Sequence, residues 1–435
     1  MTTRIENKTF QGNEPTWANA CVGDNGAPGI IDYASGFSLA ANMLLESVIR
    51  DDGRKLPVDY LIYPICFNMR HAVELNLKST VVYLNRIADL RFPIAQLDSV
   101  EIHDINLIWN HVKANAPILD VRYQPLVDVL DEYITDIGTI DSTGQVFRYP
   151  FDVDRLKHLT DVAIINCRVL KERFNQLETL LKALDVFNDS IFEEYRLGSS
   201  TKKLSRHQLF LLSIKLPNKE LWIDVSFTDA KAKLMKEFGL SSNDFSKALN
   251  IITKHYEMSY FINAVPKIEG ITEADLHTFF DAWVEEHDLE EIKNPKIEIT
   301  EGLDYFAKED FDEMKARWER QSVTLQELSE KLSPVAIGII HAMYYFHIDM
   351  KYSEYFLGRM KIDVEEAEGK NTPQDFKQFI KHQLEKTGAL NCILNTLNFL
   401  NQTELLDSLV KRYALENHIA HWLEESNHKK WRELA

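Results

Sequence analysis

Five apolar residues spaced by four and three positions restrict most strongly how this chain can fold. They are Met69, Val73, Leu77, Val81 and Leu84. This spacing puts all five on one face of an α-helix, where they would pack against a hydrophobic core. Pro64 lies just before the pattern, at a position that the start of a helix tolerates. We therefore predict a long central helix from about Pro64 to Leu90.

A charged stripe runs along the same predicted helix. Arg70, Glu74 and Lys78 follow one another at steps of four, and His71 precedes Glu74 by three. Both four-residue pairs have opposite charges and support a helix. One interpretation is an ordinary solvated face. The other is a partly desolvated polar network of the kind found at functional sites, because the flanking residues are almost all apolar.

Helical periodicity continues along most of the chain, whereas strand signals are few. We therefore predict an all-α fold that starts with a bundle of about five helices over 31–195. The last helix of this bundle is predicted from about Val153 to Val186, with Leu159, Val162 and Ile165 among its apolar positions.

The sequence predicts five segments. They are an irregular arm (1–30), the helical bundle (31–195), a helical module (202–290), an acidic connector (291–321) and a C-terminal helical module (322–435). The second module weakly resembles a helix-turn-helix. Its last helix carries Asp244 beside Lys247 and Lys254, so a plain packing module is the favoured interpretation.

The formal net charge of −18 excludes a broadly basic nucleic-acid surface, but a local basic site stays open. Half of this charge lies in 281–319, which holds 14 acidic and 5 basic residues. The segment is either a solvated connector or a surface that binds a basic protein partner.

The sequence indicates a cytoplasmic protein. Its four cysteines are far apart and form no C-x-x-C pair, which favours reduced thiols over a zinc ribbon. The N-terminal segment is polar and has no signal-peptide pattern, and no run of 18 apolar residues would span a membrane. Phosphate-binding glycine motifs, H-E-x-x-H and G-x-S-x-G do not occur. We predict no cofactor.

Three short motifs in the first bundle resemble those of the HEPN superfamily. They are His71-Ala-Val-Glu74-Leu-Asn-Leu-Lys78, His103-Asp104-Ile-Asn-Leu, and Phe147-Arg148-Tyr149-Pro150. The superfamily has A-x-E-x-x-L-K, an H-D-L-like helix start and an R-Y-P segment in this order. The resemblance covers about 60–190, and Ile105 stands where the family usually has Leu.

The resemblance implies a helical bundle that acts on RNA or nucleotides, often as a dimer with a composite site. Many members are ribonuclease toxins or antiviral effectors of bacteria. Their nuclease branch has Arg, four to six residues and then His, which does not occur in 31–195. The chain has this spacing at Arg412 and His418, outside the matching region, and these two residues are an alternative catalytic pair.

Two sets of candidate site residues follow from the three motifs and the charged stripe that includes Arg70. Histidine can move a proton of a ribose hydroxyl, and arginine can stabilise a phosphorane. The catalytic candidates are therefore Arg70, His71, Glu74, His103 and Arg148. The substrate-binding candidates are Lys78, Asp104 and Tyr149.

Two structural roles stay open for these residues. Asp104 is also suited to cap a helix, and Arg148 to hold its loop onto the bundle. His418, His421 and Glu425 share a helical face, but a charged terminal helix is more often solvated, so no metal site is predicted.

Two hypotheses for the function remain. The first is an HEPN-like RNA- or nucleotide-directed protein of a bacterial defence or toxin system, a metal-independent ribonuclease if it is an enzyme. The second is a non-catalytic helical scaffold or regulator. It would form a homodimer through the bundle and bind a protein partner through the acidic segment 281–319.

Overall fold

The computed structural model describes residues 7–52, 54–98, 101–152, 154–293 and 308–419. Within these ranges the chain forms sixteen α-helices, and its one β-bridge belongs to no strand. The predicted all-α class is confirmed. None of the helices in these ranges combines the length and the apolar character needed to cross a membrane.

The chain divides into two compact units, Met1–Arg196 and Leu197–Ala435. The helices of the first unit are α1 (Ile30–Asp51), α2 (Val58–Arg91), α3 (Ile105–Leu119), α4 (Gln124–Asp141) and α5 (Cys167–Arg196).

Helix α2 is the centre of the first unit, because it contacts all four of the other helices. The predicted stripe is its buried face: Val73, Leu77, Val81 and Leu84 have no exposed surface, and Met69 has almost none. Burial of each such side chain contributes roughly 1.5–3 kcal/mol, which explains why this helix organises the bundle.

Helix α2 begins six residues earlier than predicted. It starts at Val58, so Pro64 lies inside the helix rather than at its start. An internal proline removes one backbone hydrogen bond and costs about 3 kcal/mol. Extensive packing of α1 against α2 accounts for the continuation of the helix through this residue.

The predicted start of the last bundle helix was wrong. Helix α5 begins at Cys167 instead of Val153, which itself lies outside the described residues. Arg155 and Leu159 adopt left-handed backbone angles, with φ of 62° and 56°, and this conformation interrupts a helix. The segment before α5 is therefore irregular, although its apolar spacing imitates a helix.

Eleven helices of the second unit lie within the described ranges. They are α6 (Arg206–Lys215), α7 (Val225–Glu237), α8 (Ser242–Lys254), α9 (Glu273–Glu286), α10 (Leu289–Lys293), α11 (Lys308–Lys331), α12 (Pro334–Phe346), α13 (Ser353–Glu368), α14 (Pro373–Leu384), α15 (Ala389–Phe399) and α16 (Thr403–Arg412).

The second unit has two hydrophobic cores. The smaller one holds residues between Leu204 and Ile262, and the larger one holds residues between Tyr256 and Ile419. Helix α9 packs into the larger core through Phe279, Phe280 and Trp283. The structure thus groups α9 with the C-terminal helices, whereas the sequence placed it in the module 202–290.

The acidic connector predicted at 291–321 is described only at its two ends. Residues 294–307 lie outside the described residues, whereas 291–293 belong to α10 and 308–321 belong to α11.

Candidate functional site

Glu74 is the centre of a polar cluster in the first unit. It lies on α2, and only 1% of its surface is exposed. Its Oε1 lies 2.9 Å from Lys78 Nζ and 2.8 Å from His103 Nδ1. Its Oε2 accepts a hydrogen bond from Arg70 and lies 3.6 Å from His71 Nδ1. One carboxylate therefore meets four basic side chains.

The surroundings keep Glu74 ionised. Burial by itself would raise the pKa of this carboxyl group. Hydrogen bonds from His71, Lys78 and His103, together with the charge of Arg70, hold its pKa well below the usual range. The carboxylate thus stays available as a hydrogen-bond acceptor in neutral and mildly acidic solution.

Arg70 links the loop after α4 to the residue before α3 through hydrogen bonds. Its Nε donates to the carbonyl oxygen of Asp141 at 3.2 Å, and its Nη2 donates to that of Ser142 at 2.6 Å. The same Nη2 also donates to the carbonyl oxygen of His103. These contacts place the His103 backbone directly beside the loop.

The loop after α4 packs against the guanidinium of Arg70 at Gly144. Gly144 is buried and has a φ of +78°, which favours glycine. A Cβ atom there would lie 3.1 Å from the guanidinium carbon of Arg70. The loop therefore needs glycine both for its backbone conformation and for its close approach to the arginine.

His103 combines a buried partner with an open side. Its side chain is 65% exposed, although Nδ1 lies 2.8 Å from the buried carboxylate of Glu74. An ionised carboxylate only accepts hydrogen bonds, so the neutral imidazole carries its proton on Nδ1. Nε2 is then the proton acceptor, which is the arrangement of an oriented general base.

Asp104 serves as the N-cap of α3. Its Oδ1 accepts hydrogen bonds from the backbone N–H groups of Asn106 and Leu107, at 2.8 and 3.3 Å. This cap starts the helix at Ile105 and thereby fixes where the preceding His103 stands.

Arg148 and Tyr149 lie at the exposed edge of the same loop. The guanidinium of Arg148 stacks at 5.6 Å over Phe67 and at 5.5 Å over Tyr149. The ring of Phe67 in turn stacks on His71 at 5.8 Å. Phe67 therefore contacts both the exposed Arg148 and His71, which approaches Glu74.

The structure brings five of the predicted residues into one cluster, namely Arg70, His71, Glu74, Lys78 and His103. Arg148 adjoins it through Phe67, and Tyr149 contacts Arg148. Three of the predicted residues are not placed to contact a substrate directly. Arg70 and Lys78 are buried with Glu74, and Asp104 is occupied as a helix cap.

The alternative pair, Arg412 and His418, does not form a shared site. Arg412 makes two hydrogen bonds to Asp281, at 2.8 and 2.5 Å. His418 Nε2 instead lies 3.0 Å from the side-chain oxygen of Asn391. The possible metal ligands His421 and Glu425 lie outside the described residues.

A second buried ionic cluster lies in the second unit. Arg206 donates from Nε to Glu354 at 2.8 Å and from Nη2 to Glu257 at 2.8 Å. His255 Nε2 lies 2.9 Å from Glu354. His255, Glu257 and Glu354 are close enough together to hold a metal ion, but Arg206 already contacts both carboxylates. We therefore interpret this cluster as a structural ion network.

The residues that hold the site loop were not predicted from the sequence. Asp141 and Ser142 act through their carbonyl oxygens, which side-chain patterns do not reveal. Gly144 was visible only as part of a loop signal. A glycine next to turn residues was the one sequence feature that could have indicated a close approach.

The chain matches no protein-family model, no curated protein and no solved structure.

Proposed function

We propose that the first unit is an RNA-directed, metal-independent endoribonuclease. The observation that carries this proposal is the exposed imidazole of His103, whose Nδ1 lies 2.8 Å from the ionised, buried Glu74. A carboxylate that fixes the tautomer of an accessible histidine is a common device for proton transfer. The HEPN-like motifs and the exposed Arg148, which stacks over Phe67, support RNA as the substrate.

The proposed reaction uses side chains alone. His103 Nε2 takes the proton of a ribose 2′-hydroxyl, and the 2′-oxygen attacks the adjacent phosphorus. The bond from phosphorus to the 5′-oxygen breaks, which leaves a 2′,3′-cyclic phosphate. His71 protonates the departing 5′-oxygen, since its ring is 26% exposed and also approaches Glu74. Arg148 binds the phosphate and stabilises its developing charge.

This scheme assigns different roles to the residues of the cluster. His71, His103 and Arg148 contact the substrate, with Tyr149 as an exposed surface on which a base can stack. Glu74 orients the imidazoles, whereas Arg70 and Lys78 position Glu74 and the loop. A bacterial defence or toxin system, as implied by the HEPN resemblance, is the proposed setting.

The test is incubation of the purified protein with end-labelled RNA in the presence of EDTA. We expect cleavage products with cyclic phosphate ends, and at least a roughly hundredfold loss of rate in His103→Ala. Arg148→Ala should lose activity as well. Arg168→Ala is the matched control, since Arg168 is an exposed arginine on the same unit. Absence of cleavage by the wild-type protein, or full activity of His103→Ala, would refute the proposal.

A second candidate function is a non-catalytic scaffold or regulator. It is favoured by Arg70, whose 3% exposure and contacts to Glu74 and three backbone carbonyls fit a purely structural role. In this case the polar cluster only stabilises the helical bundle. A homodimer and a protein partner at 281–319 stay predictions of this alternative, and sedimentation of the wild-type protein tests the dimer.

A further inference from the structure

An apolar cavity of about 360 Å³ lies in the first unit. Helices α2, α4 and α5 form its walls together with the irregular segment 162–166. Its lining includes Met69 from α2, Ile137 from α4 and Val169 from α5. Val169 is 60% exposed, so the cavity reaches the surface there. A pocket of this size and lining is typical of small-molecule sites.

The charged groups in the wall of the cavity already have partners. Arg173 donates to Glu132 at 2.8 Å and to Asp136 at 3.0 Å, and it stacks over Tyr133. Arg70 contacts Glu74 and backbone carbonyls, as described above. A charged ligand would therefore lose its hydration without gaining a free counter-charge. The wall fits a neutral occupant.

We propose that this cavity binds a neutral, largely apolar small molecule. The proposal does not rest on RNA cleavage, although Arg70 of the polar cluster also lines the cavity. An apolar ligand gains binding free energy in proportion to the apolar area that it removes from water. Side chains of three helices would surround such a ligand in the cavity. Phe147, which directly precedes Arg148, also lines the cavity, so an occupant would contact the loop that carries this arginine.

The cavity can be tested with a neutral probe whose fluorescence rises in apolar surroundings, N-phenyl-1-naphthylamine. We expect saturable binding of one probe per chain and displacement by 1-decanol. Decanoate and decyltrimethylammonium, used below their micelle concentrations, should displace it at least about tenfold more weakly, which corresponds to about 1.4 kcal/mol. Equal displacement by the charged compounds would overturn the inference of a neutral ligand.

Helix α5 offers a matched pair of variants. Val169 and Val186 are 60% and 61% exposed, but only Val169 lines the cavity. Val169→Trp should fill the cavity and weaken probe binding at least about tenfold, whereas Val186→Trp should change it less than about twofold. Thermal unfolding checks that both variants fold. Equal probe affinity in the two variants would overturn the proposal.

A second copy of the chain is the competing occupant of this opening. Analytical ultracentrifugation of the same two variants distinguishes it from a small molecule. If Val169→Trp changes the oligomeric state while probe binding is unaltered, the cavity is part of an interface between copies and the proposal fails. An unchanged oligomeric state with lost probe binding supports the small-molecule site.

Discussion

At the scale of single residues, Glu74 determines how the polar cluster behaves. A buried carboxylate without partners would be strongly unfavourable, and four basic side chains offset its desolvation. The same contacts fix the orientation of His103. Stability of the bundle and geometry of the proposed active site therefore depend on one ionised group.

The pKa of Glu74 predicts how the first unit responds to acid. A carboxyl group whose pKa is lowered in the folded state contributes stability above its unfolded value of about 4.3, and this contribution is lost as the pH falls below that value. We expect the free energy of unfolding to fall between about pH 5 and pH 3. Urea denaturation at several pH values measures this dependence.

Glu74→Gln provides the comparison for the acid response. The variant should be less stable at neutral pH but should show a shallower decline over the same pH range, because the titrating group is gone. An equally steep decline in both proteins would assign the acid response to other carboxyl groups.

Residue spacing predicted part of this cluster and missed the rest. The contacts of Glu74 with Arg70 and Lys78 follow from steps of four along one helix. Glu74 and His103 are 29 positions apart, so spacing along one helix could not predict their contact. Only the family resemblance indicated it. The carbonyl partners of Arg70 could not be predicted, because every residue carries the same carbonyl group.

At the scale of structural elements, the loop after α4 is held by a glycine packed on an arginine. Gly144→Ala should destabilise the first unit by about 1–3 kcal/mol, because alanine is strained at this φ and its Cβ would approach Arg70. Gly198→Ala is the matched control, with a φ of +80° and nothing within 4 Å of the added Cβ.

Thermal unfolding measures both glycine variants. The control carries the backbone strain alone, so the excess loss in Gly144→Ala reports the contact with Arg70. Equal losses in the two variants would show that this contact contributes nothing.

The crossing of α12 and α13 also depends on a glycine. A Cβ at Gly338 would lie 2.7 Å from the Cα of Val364, so Gly338→Ala should force the two helices apart and lower the melting temperature. A Cβ at Gly358, on α13, would meet nothing within 4 Å. Gly358→Ala should therefore stabilise the protein by up to about 1 kcal/mol through helix propensity.

Calorimetry of the two variants separates close packing from helix propensity. A Gly338→Ala variant that is as stable as Gly358→Ala would contradict the close crossing of the helices.

The buried face of an element was predicted well where apolar spacing and packing agree, whereas its ends were predicted less well. The α2 stripe is buried as predicted, since five apolar residues leave one choice of face. The start of α5 was predicted too early, since Val162 and Ile165 have helical spacing but line the cavity from an irregular segment. Apolar spacing alone does not reveal a left-handed residue such as Leu159.

At the scale of the whole molecule, both compact units contain a buried carboxylate that meets at least two basic side chains, Glu74 in the first unit and Glu354 in the second. Glu354 resembles Glu74 in this respect: burial would raise its pKa, but His255 and Arg206 hold it well below the usual range. The sequence did not indicate this second network, because Arg206 and Glu354 are 148 positions apart.

Removal of either carboxylate should destabilise only its own unit. Glu74→Gln leaves Arg70 and Lys78 buried without this counter-charge, which costs about 3–5 kcal/mol. Glu354→Gln should cost less, because Arg206 keeps its ion pair with Glu257. The groups lie in different units, so their effects in the double variant should add to within about 0.5 kcal/mol.

Hydrogen exchange measured by mass spectrometry localises these losses. We expect faster exchange within 1–196 for Glu74→Gln and within 197–435 for Glu354→Gln. Faster exchange throughout the chain in either variant would contradict independent effects.

The attachment of the loop to Arg70 has a consequence for how this protein can diversify. Arg70 donates hydrogen bonds to the main-chain oxygen atoms of Asp141 and Ser142. These atoms are the same whatever side chains the two positions carry. Apart from Gly144, the rim of the loop can therefore change its chemistry while its anchor stays intact. Substitutions at Thr143 and Gln145 can therefore be selected for new ligands without destabilising the bundle.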